Sequence, residues 1–289
     1  MKPPLDQLRN FPAPLRIVAF LLLLGIIWLP FAIPIALWSR DPNQTTIWAM
    51  MVLFVEFLLL VRWWGRQIHH ERQVFQTYGL TLNRISLVEG LQGLGWGTAS
   101  LLLLFLVQSL VGWVSWRPPQ VSFGQIILEG LLVALGVGLA EELVFRGWIL
   151  DELQRDYSPG VALWANSGVF AALHFIKPLP EIIRTFPQFP GLVLLGAILV
   201  WMKRSTRSQQ RTAVKLITHN GRLGLPIGFH AGLVWGYYLL KVGGLVTLTN
   251  RVPAWVTGID ENPLAGLVGL LFLASLAIYW RRRSAKTWA

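Results

Sequence analysis

The chain has 289 residues, 54% of them hydrophobic and only 13% charged, with a mean hydropathy of +0.53. Those proportions exclude a soluble globular domain, and the absence of cysteine excludes disulfides, thiol nucleophiles and Cys-ligated metals. The net charge of +11 sits in basic clusters between apolar runs, so it is read as topology signals and contacts to anionic lipid, with no nucleic-acid partner expected.

Taken in order, the sequence predicts eight hydrophobic segments near 15–38, 46–64, 91–114, 123–148, 161–176, 190–203, 223–243 and 263–280. The expected fold is an all-α, polytopic membrane protein. The first run, from Ile17 to Leu37, is too long for a cleavable signal and no A-x-A-type site follows it. Pro30 and Pro34 predict that it kinks or ends early. The fifth and sixth segments are short, which implies extension into flanking loops or a thinned, wet region. Many of the 15 tryptophans lie near the ends of apolar runs, as interfacial belts do.

Of the 25 Lys and Arg residues, 19 fall on the side that holds both tails and the 62–90, 146–160 and 203–222 loops. That asymmetry places both termini in the cytoplasm, in an integral, multi-pass topology. The 65–90 loop carries His69-His70-Glu71, where adjacent histidines on a helix diverge by about 100°. It is read as solvated rather than metal-binding, and His219 in the basic 203–222 loop likewise. There is no internal repeat, low-complexity tract or separate soluble domain. Residues 1–289 are therefore expected to form a single transmembrane domain with a motif-bearing core at about 123–243.

The richest stretch is Gly138-Leu-Ala-Glu-Glu-Leu-Val-Phe-Arg-Gly-Trp-Ile-Leu150, at the end of the fourth run. Ionisable groups at membrane depth face a bundle interior or a wet cavity. Glu142 and Arg146, at i and i+4, predict an ion pair on one helix face. Glu141 is rotated about 100° from Glu142 and is left free for chemistry. The competing reading is a solvated helix end. Two histidines also interrupt apolar helices: His174 ends Val169-Phe-Ala-Ala-Leu-His174, and His230 lies in Gly228-Phe-His-Ala-Gly-Leu-Val-Trp-Gly236. The segment layout puts Glu141 and His174 at different depths, which agree only if one segment is shorter or shifted.

This set supports hydrolysis. A carboxylate beside a neutral imidazole holds and deprotonates a water, and a second imidazole stabilises the oxyanion. A glutamate and two histidines also suit zinc with an open position for water, although the H-E-x-x-H helix of thermolysin-like sites is missing. No Gly-rich phosphate loop occurs, and no Ser-His-Asp set lies in the apolar runs.

Glu141-Glu142-Leu-Val-Phe-Arg146 resembles the E-E-x-x-x-R motif of the CAAX protease and bacteriocin-processing (CPBP) family, intramembrane proteases related to the type II prenyl-protein endopeptidase. Phe170-Ala-Ala-Leu-His174 is similar to that family's F-x-x-x-H motif, and His230 to the first residue of its H-x-x-x-N/D motif. The resemblance covers roughly 125–243. It implies an endopeptidase with Glu141 as the water-activating carboxylate, His174 as its partner, His230 in the oxyanion site, and Glu142 and Arg146 holding the helix and tuning the site. It implies a glutamate-dependent mechanism without cofactor. The alternative is a metalloendopeptidase with zinc on Glu141, His174 and His230.

The chain departs from the pattern in two places. Val234 stands where the family has Asn or Asp, and the 203–222 loop is long. Asn166 and the backbone N–H groups near Gly228–Gly236 are the candidate replacement donors. The implied partners are the lipid bilayer and a peptide or protein substrate within it: a prenylated CAAX terminus, a bacteriocin precursor or another membrane peptide. The other readings are a non-catalytic assembly or scaffolding factor of the same fold and a proton- or ion-coupled transporter.

Overall fold

Each of the eight apolar runs folds as helix in the computed structural model, which describes residues 7–119, 123–206, 209–211, 216–218 and 221–286. Helices α1 (Ala13–Trp38) and α2 (Pro42–Gln67) form an antiparallel pair, closed by Asp41, whose side chain accepts from Asn43 N–H. A short turn, α3 (Val74–Thr77), leads to α4 (Arg84–Leu110), capped by Asn83. Next come strand β1 (Val114–Trp116), helix α5 (Phe123–Glu142), a π-helical segment at Leu143–Ile149, and α6 (Leu150–Asp156). After α7 (Pro159–Leu173) and α8 (Leu179–Thr185) follow α9 (Phe189–Ser205) and strands β2 (Gln209–Arg211) and β3 (Leu216–Thr218). Helix α10 (Gly224–Lys241), strand β4 (Val246–Leu248), α11 (Ala254–Thr257) and α12 (Leu267–Lys286) complete the chain.

The fold is that of an all-α membrane protein. Among the described residues five helices are long and apolar enough to cross a membrane: Ala13–Trp38, Pro42–Gln67, Arg84–Leu110, Phe123–Asp156 and Leu179–Ser205. The remaining three predicted segments correspond to α7, α10 and α12. The β elements are two short antiparallel pairs, β1 with β4 and β2 with β3. Pairing of Val114 with Leu248 and Trp116 with Val246 ties the start of the α4–α5 connection to the end of α10.

Helix α10 lies at the centre, against α4, α5 and α9. Its contact with α4 is the most extensive in the molecule, and glycines are the reason. Gly90, Gly93 and Gly97 on α4 meet Gly224, Gly228 and Gly232 on α10 backbone to backbone. A Cβ on Gly228 would overlap the Gly90 carbonyl oxygen, and one on Gly97 would overlap that of Phe229. Between apolar helices in lipid, where burial gives no net drive, such stripes of small residues supply close packing. On the opposite side, a Cβ on Gly138 would sit 2.8 Å from the Ile227 carbonyl oxygen, so α5 also approaches α10 closely beside the E-E motif.

Several sequence expectations are corrected. Helix α1 neither ends nor breaks at Pro30 and Pro34 but runs on to Trp38. Helices at membrane depth tolerate proline where neighbours and local adjustment re-satisfy the freed carbonyls. The 146–160 region is not a loop, because helix continues to Asp156 before a two-residue turn. Arg146 is therefore fully buried rather than a loop charge. His69 is not solvated: it is buried, with Nε2 2.6 Å from Oε1 of the fully buried Glu152. The same carboxylate accepts from Trp64 Nε1 (2.9 Å) and Arg16 Nε (2.8 Å), so His69 docks the α2 end onto α6. His219 lies outside the described residues.

Candidate active site

The depth conflict between Glu141 and His174 is resolved by the helix extension. From Glu142 the chain descends to Asp156, and α7 climbs from Pro159 back to His174. At 1.5 Å per residue those legs are about 21 and 22 Å, so the histidine returns to the level of the carboxylates. Ser158 caps α7, accepting from Val161 N–H, with Pro159 at the first helical position, where it lacks only an N–H that has no partner anyway.

The ion pair expected from spacing forms. Arg146 Nη1 donates to Glu142 Oε1 at 2.9 Å, both side chains being fully buried. Glu142 has a second role that spacing did not indicate. Its Oε1 lies 2.9 Å from His230 Nδ1. A carboxylate can only accept, so His230 carries its proton on Nδ1 and turns Nε2 toward Glu141. His174 is fixed in the same sense. Its Nδ1 lies 2.8 Å from the Phe170 carbonyl oxygen, one turn back, and must donate to it. Both Nε2 atoms then stand 3.9 Å from Glu141 Oε2, which has no hydrogen-bond partner among the described residues. The separation is too long for direct bonds and matches the span of a bridging water, whose two protons serve two of these three acceptors at a time.

Phe170 is the hub that residue-type reasoning missed. Its ring lies under the Arg146 guanidinium, with Cζ 4.2 Å from the centroid, and meets the His174 ring edge-on at 4.6 Å and that of His230 at 6.2 Å. The i, i+4 spacing to His174 was the available signal. Two further polar residues support the π-helical segment. A wide turn loosens the regular backbone pairing, and buried carbonyls then need other donors. Asn166 Nδ2 donates to Phe145 O at 2.7 Å, and the buried Lys203 Nζ donates to Arg146 O at 2.7 Å. Lys203 reads in sequence as one more basic loop residue, so nothing marked it out. Asn166 is thereby committed to the backbone. The Gly228–Gly236 N–H groups lie within α10, whose ladder uses them, and its glycines face α4. The backbone donors are thus engaged, and Asn166, fully buried, does not line the cavity beside the site.

The site opens on a cavity of about 450 Å³ whose walls include His174, His230, Phe170, Val234 and Leu195, with Lys241 further along α10. Among the described residues no group of three or more His, Asp or Glu is placed to hold a metal ion.

Fold and site together define a cluster of carboxylate and imidazole groups at a cavity within a membrane protein. Residues 123–236 match the family model described as Type II CAAX prenyl endopeptidase Rce1-like. The matched segment contains Glu141, Glu142, Arg146, His174 and His230, and over it the CPBP resemblance read from the motifs holds. The chain matches no curated protein and no solved structure.

Proposed function

We propose that the chain is an intramembrane endopeptidase that hydrolyses peptide bonds at or near the membrane with a water activated by Glu141 and His174. The observation that carries this reading is the convergence of Glu141 Oε2 with the Nε2 atoms of His174 and His230, each histidine fixed through its other nitrogen. Glu141 takes a proton from the water as its oxygen adds to the scissile carbonyl. His174 Nε2, an acceptor in the neutral ring, holds the water in line. His230 donates to the oxyanion only as imidazolium, since its Nδ1 proton is committed to Glu142. The two carboxylates balance that imidazolium and Arg146. The proton held by Glu141 then passes to the leaving amine. No cofactor enters these steps, and zinc has no place in them.

The substrate is a membrane peptide or protein segment that the apolar cavity accepts, a prenylated C-terminus among the candidates. We further assign eight spans with both termini cytoplasmic, from the excess of basic residues that remains on one side once the buried Arg146 is set aside. A reporter fused after Ala289 then reads cytoplasmic, and a signal from the opposite side rejects the layout. Val234 favours a second reading, a non-catalytic assembly or scaffolding factor. Mass spectrometry of cleavage products from candidate membrane peptides separates the two. Glu141 is partly exposed and makes no direct side-chain hydrogen bond among the described residues, so Glu141→Gln removes cleavage while yield stays normal. Equal cleavage by wild type and Glu141→Gln refutes the proposed chemistry.

A further inference from the structure

Glu56 is a carboxylate without a role in the site. It lies on α2, 14 residues from Pro42 and 11 from Gln67, or about 21 and 17 Å from the helix ends. That is near the middle of a span in an apolar core about 30 Å thick. Its Oε2 is occluded, and the carboxylate has no hydrogen-bond or ion-pair partner among the described residues. It lines a groove of about 430 Å³ between α1 and α2, walled by Leu23, Ile27, Leu59, Leu60 and Trp63. Ile27, Leu59 and Trp63 are exposed, so the groove opens outward, away from the α10 core. It also lies outside the 123–236 segment that matches the family model.

A carboxylate at mid-depth with nothing to pair with is a functional-site hypothesis by default. The missing partner is cationic, and the described residues of this chain do not supply it. The only basic residues on α1 and α2 are Arg16, Arg62 and Arg66, all toward helix ends, and Arg16 is bound to Glu152. A second copy of the chain would present the same acidic, cation-free face. We propose that the α1–α2 groove is a docking site for a transmembrane helix of another protein that carries a basic side chain at mid-bilayer depth. The apolar walls receive the helix flank and Glu56 pairs the cation. Lipid amines lie at the headgroups and do not reach this depth.

The test uses the full chain, fluorescently labelled and reconstituted in nanodiscs, with a labelled Leu/Ala transmembrane peptide bearing one central lysine. Energy transfer is compared with that of an otherwise identical peptide bearing leucine. The lysine peptide associates at least about tenfold more tightly, the equivalent of about 1.4 kcal/mol. Glu56→Leu erases the preference, and Glu56→Gln reduces it. Because Glu56 contacts no described polar group, both variants retain wild-type yield and elution. Equal association of the two peptides, or a preference that survives Glu56→Leu, overturns the proposal. Glu56-dependent self-association without peptide also overturns it, since the groove then belongs to a second copy.

Discussion

Glu142 Oε1 accepts from both Arg146 Nη1 and His230 Nδ1, each at 2.9 Å, so one buried oxygen joins the E-E-x-x-x-R helix to the central helix α10. This shared acceptor fixes the tautomer of His230, and with it the nitrogen that faces Glu141. The second glutamate of the motif therefore acts through the histidine. Glu142→Gln keeps the shape but leaves the arginine without its counter-charge and allows the amide to present the wrong group to Nδ1. Turnover of an identified peptide falls by about 10²–10³, the scale of losing one oxyanion donor. Wild-type turnover in Glu142→Gln would refute its role in orienting His230.

Arg146 is expected to affect stability as well as rate. Removing one partner of a buried ion pair costs about 3–5 kcal/mol, because the remaining charge is left uncompensated. Arg146→Ala also empties the space over the Phe170 ring, on which both histidines rest. Purified yield and thermal unfolding temperature drop together with activity. Normal yield with lost activity would instead assign the arginine to substrate contact.

The glycine contact between α4 and α10 makes a prediction remote from the chemistry. Gly228 has no room for a methyl group, since a Cβ would overlap the backbone of Gly90, which cannot rotate away. Gly228→Ala therefore pushes α10 off α4 and carries His230, two residues on, out of register with Glu142. Yield or unfolding temperature falls, and residual protein is inactive. Gly25 and Gly95, with open space around the position of a Cβ, accept alanine without loss and serve as controls.

Metal dependence is separable from these effects. The proposed chemistry uses only side chains. Prolonged chelation should leave cleavage intact. Loss on chelation with recovery on adding zinc would assign the reaction to a metal form.

How much of this was legible follows from the kind of signal each part leaves. Apolar runs are written directly in composition, so every long helix was anticipated. The Glu142–Arg146 pair was readable because i, i+4 spacing is local. The reach of Glu142 to His230 spans 88 residues and leaves no local trace. The extension of helix to Asp156 was hidden because Asp151, Glu152, Arg155 and Asp156 look like a polar loop. Asp151 and Glu152 are buried, with Glu152 held by Arg16 and Trp64 from two other helices and by His69 from the bend after α2. The glycine stripe of α4 pointed nowhere without its partner on α10. Lys203 was masked by its basic neighbours, since sequence does not distinguish an ammonium bonded to backbone carbonyls from one in water.

Val234 is the sharpest test of whether the chain is a protease. It lies one turn after His230 on α10 and lines the same cavity, so an amide at this position faces the substrate region. Valine donates no hydrogen bond. Asn166 does not replace it, because it is fully buried against the Phe145 carbonyl and does not line the cavity, and the α10 backbone is engaged in its own ladder. The oxyanion is then left to His230 alone. One missing donor typically costs about 10²–10³ in rate, so the wild-type chain is expected to be slow. Val234→Asn restores a donor in a half-buried position open to the cavity, where the added polarity is tolerated. Turnover in nanodiscs should hold or rise, by up to about 10² if the amide reaches the oxyanion, while His230→Ala abolishes it. If His230→Ala cleaves as fast as wild type, His230 has no catalytic part. If neither wild type nor Val234→Asn cleaves any membrane peptide tested, the scaffolding reading takes precedence.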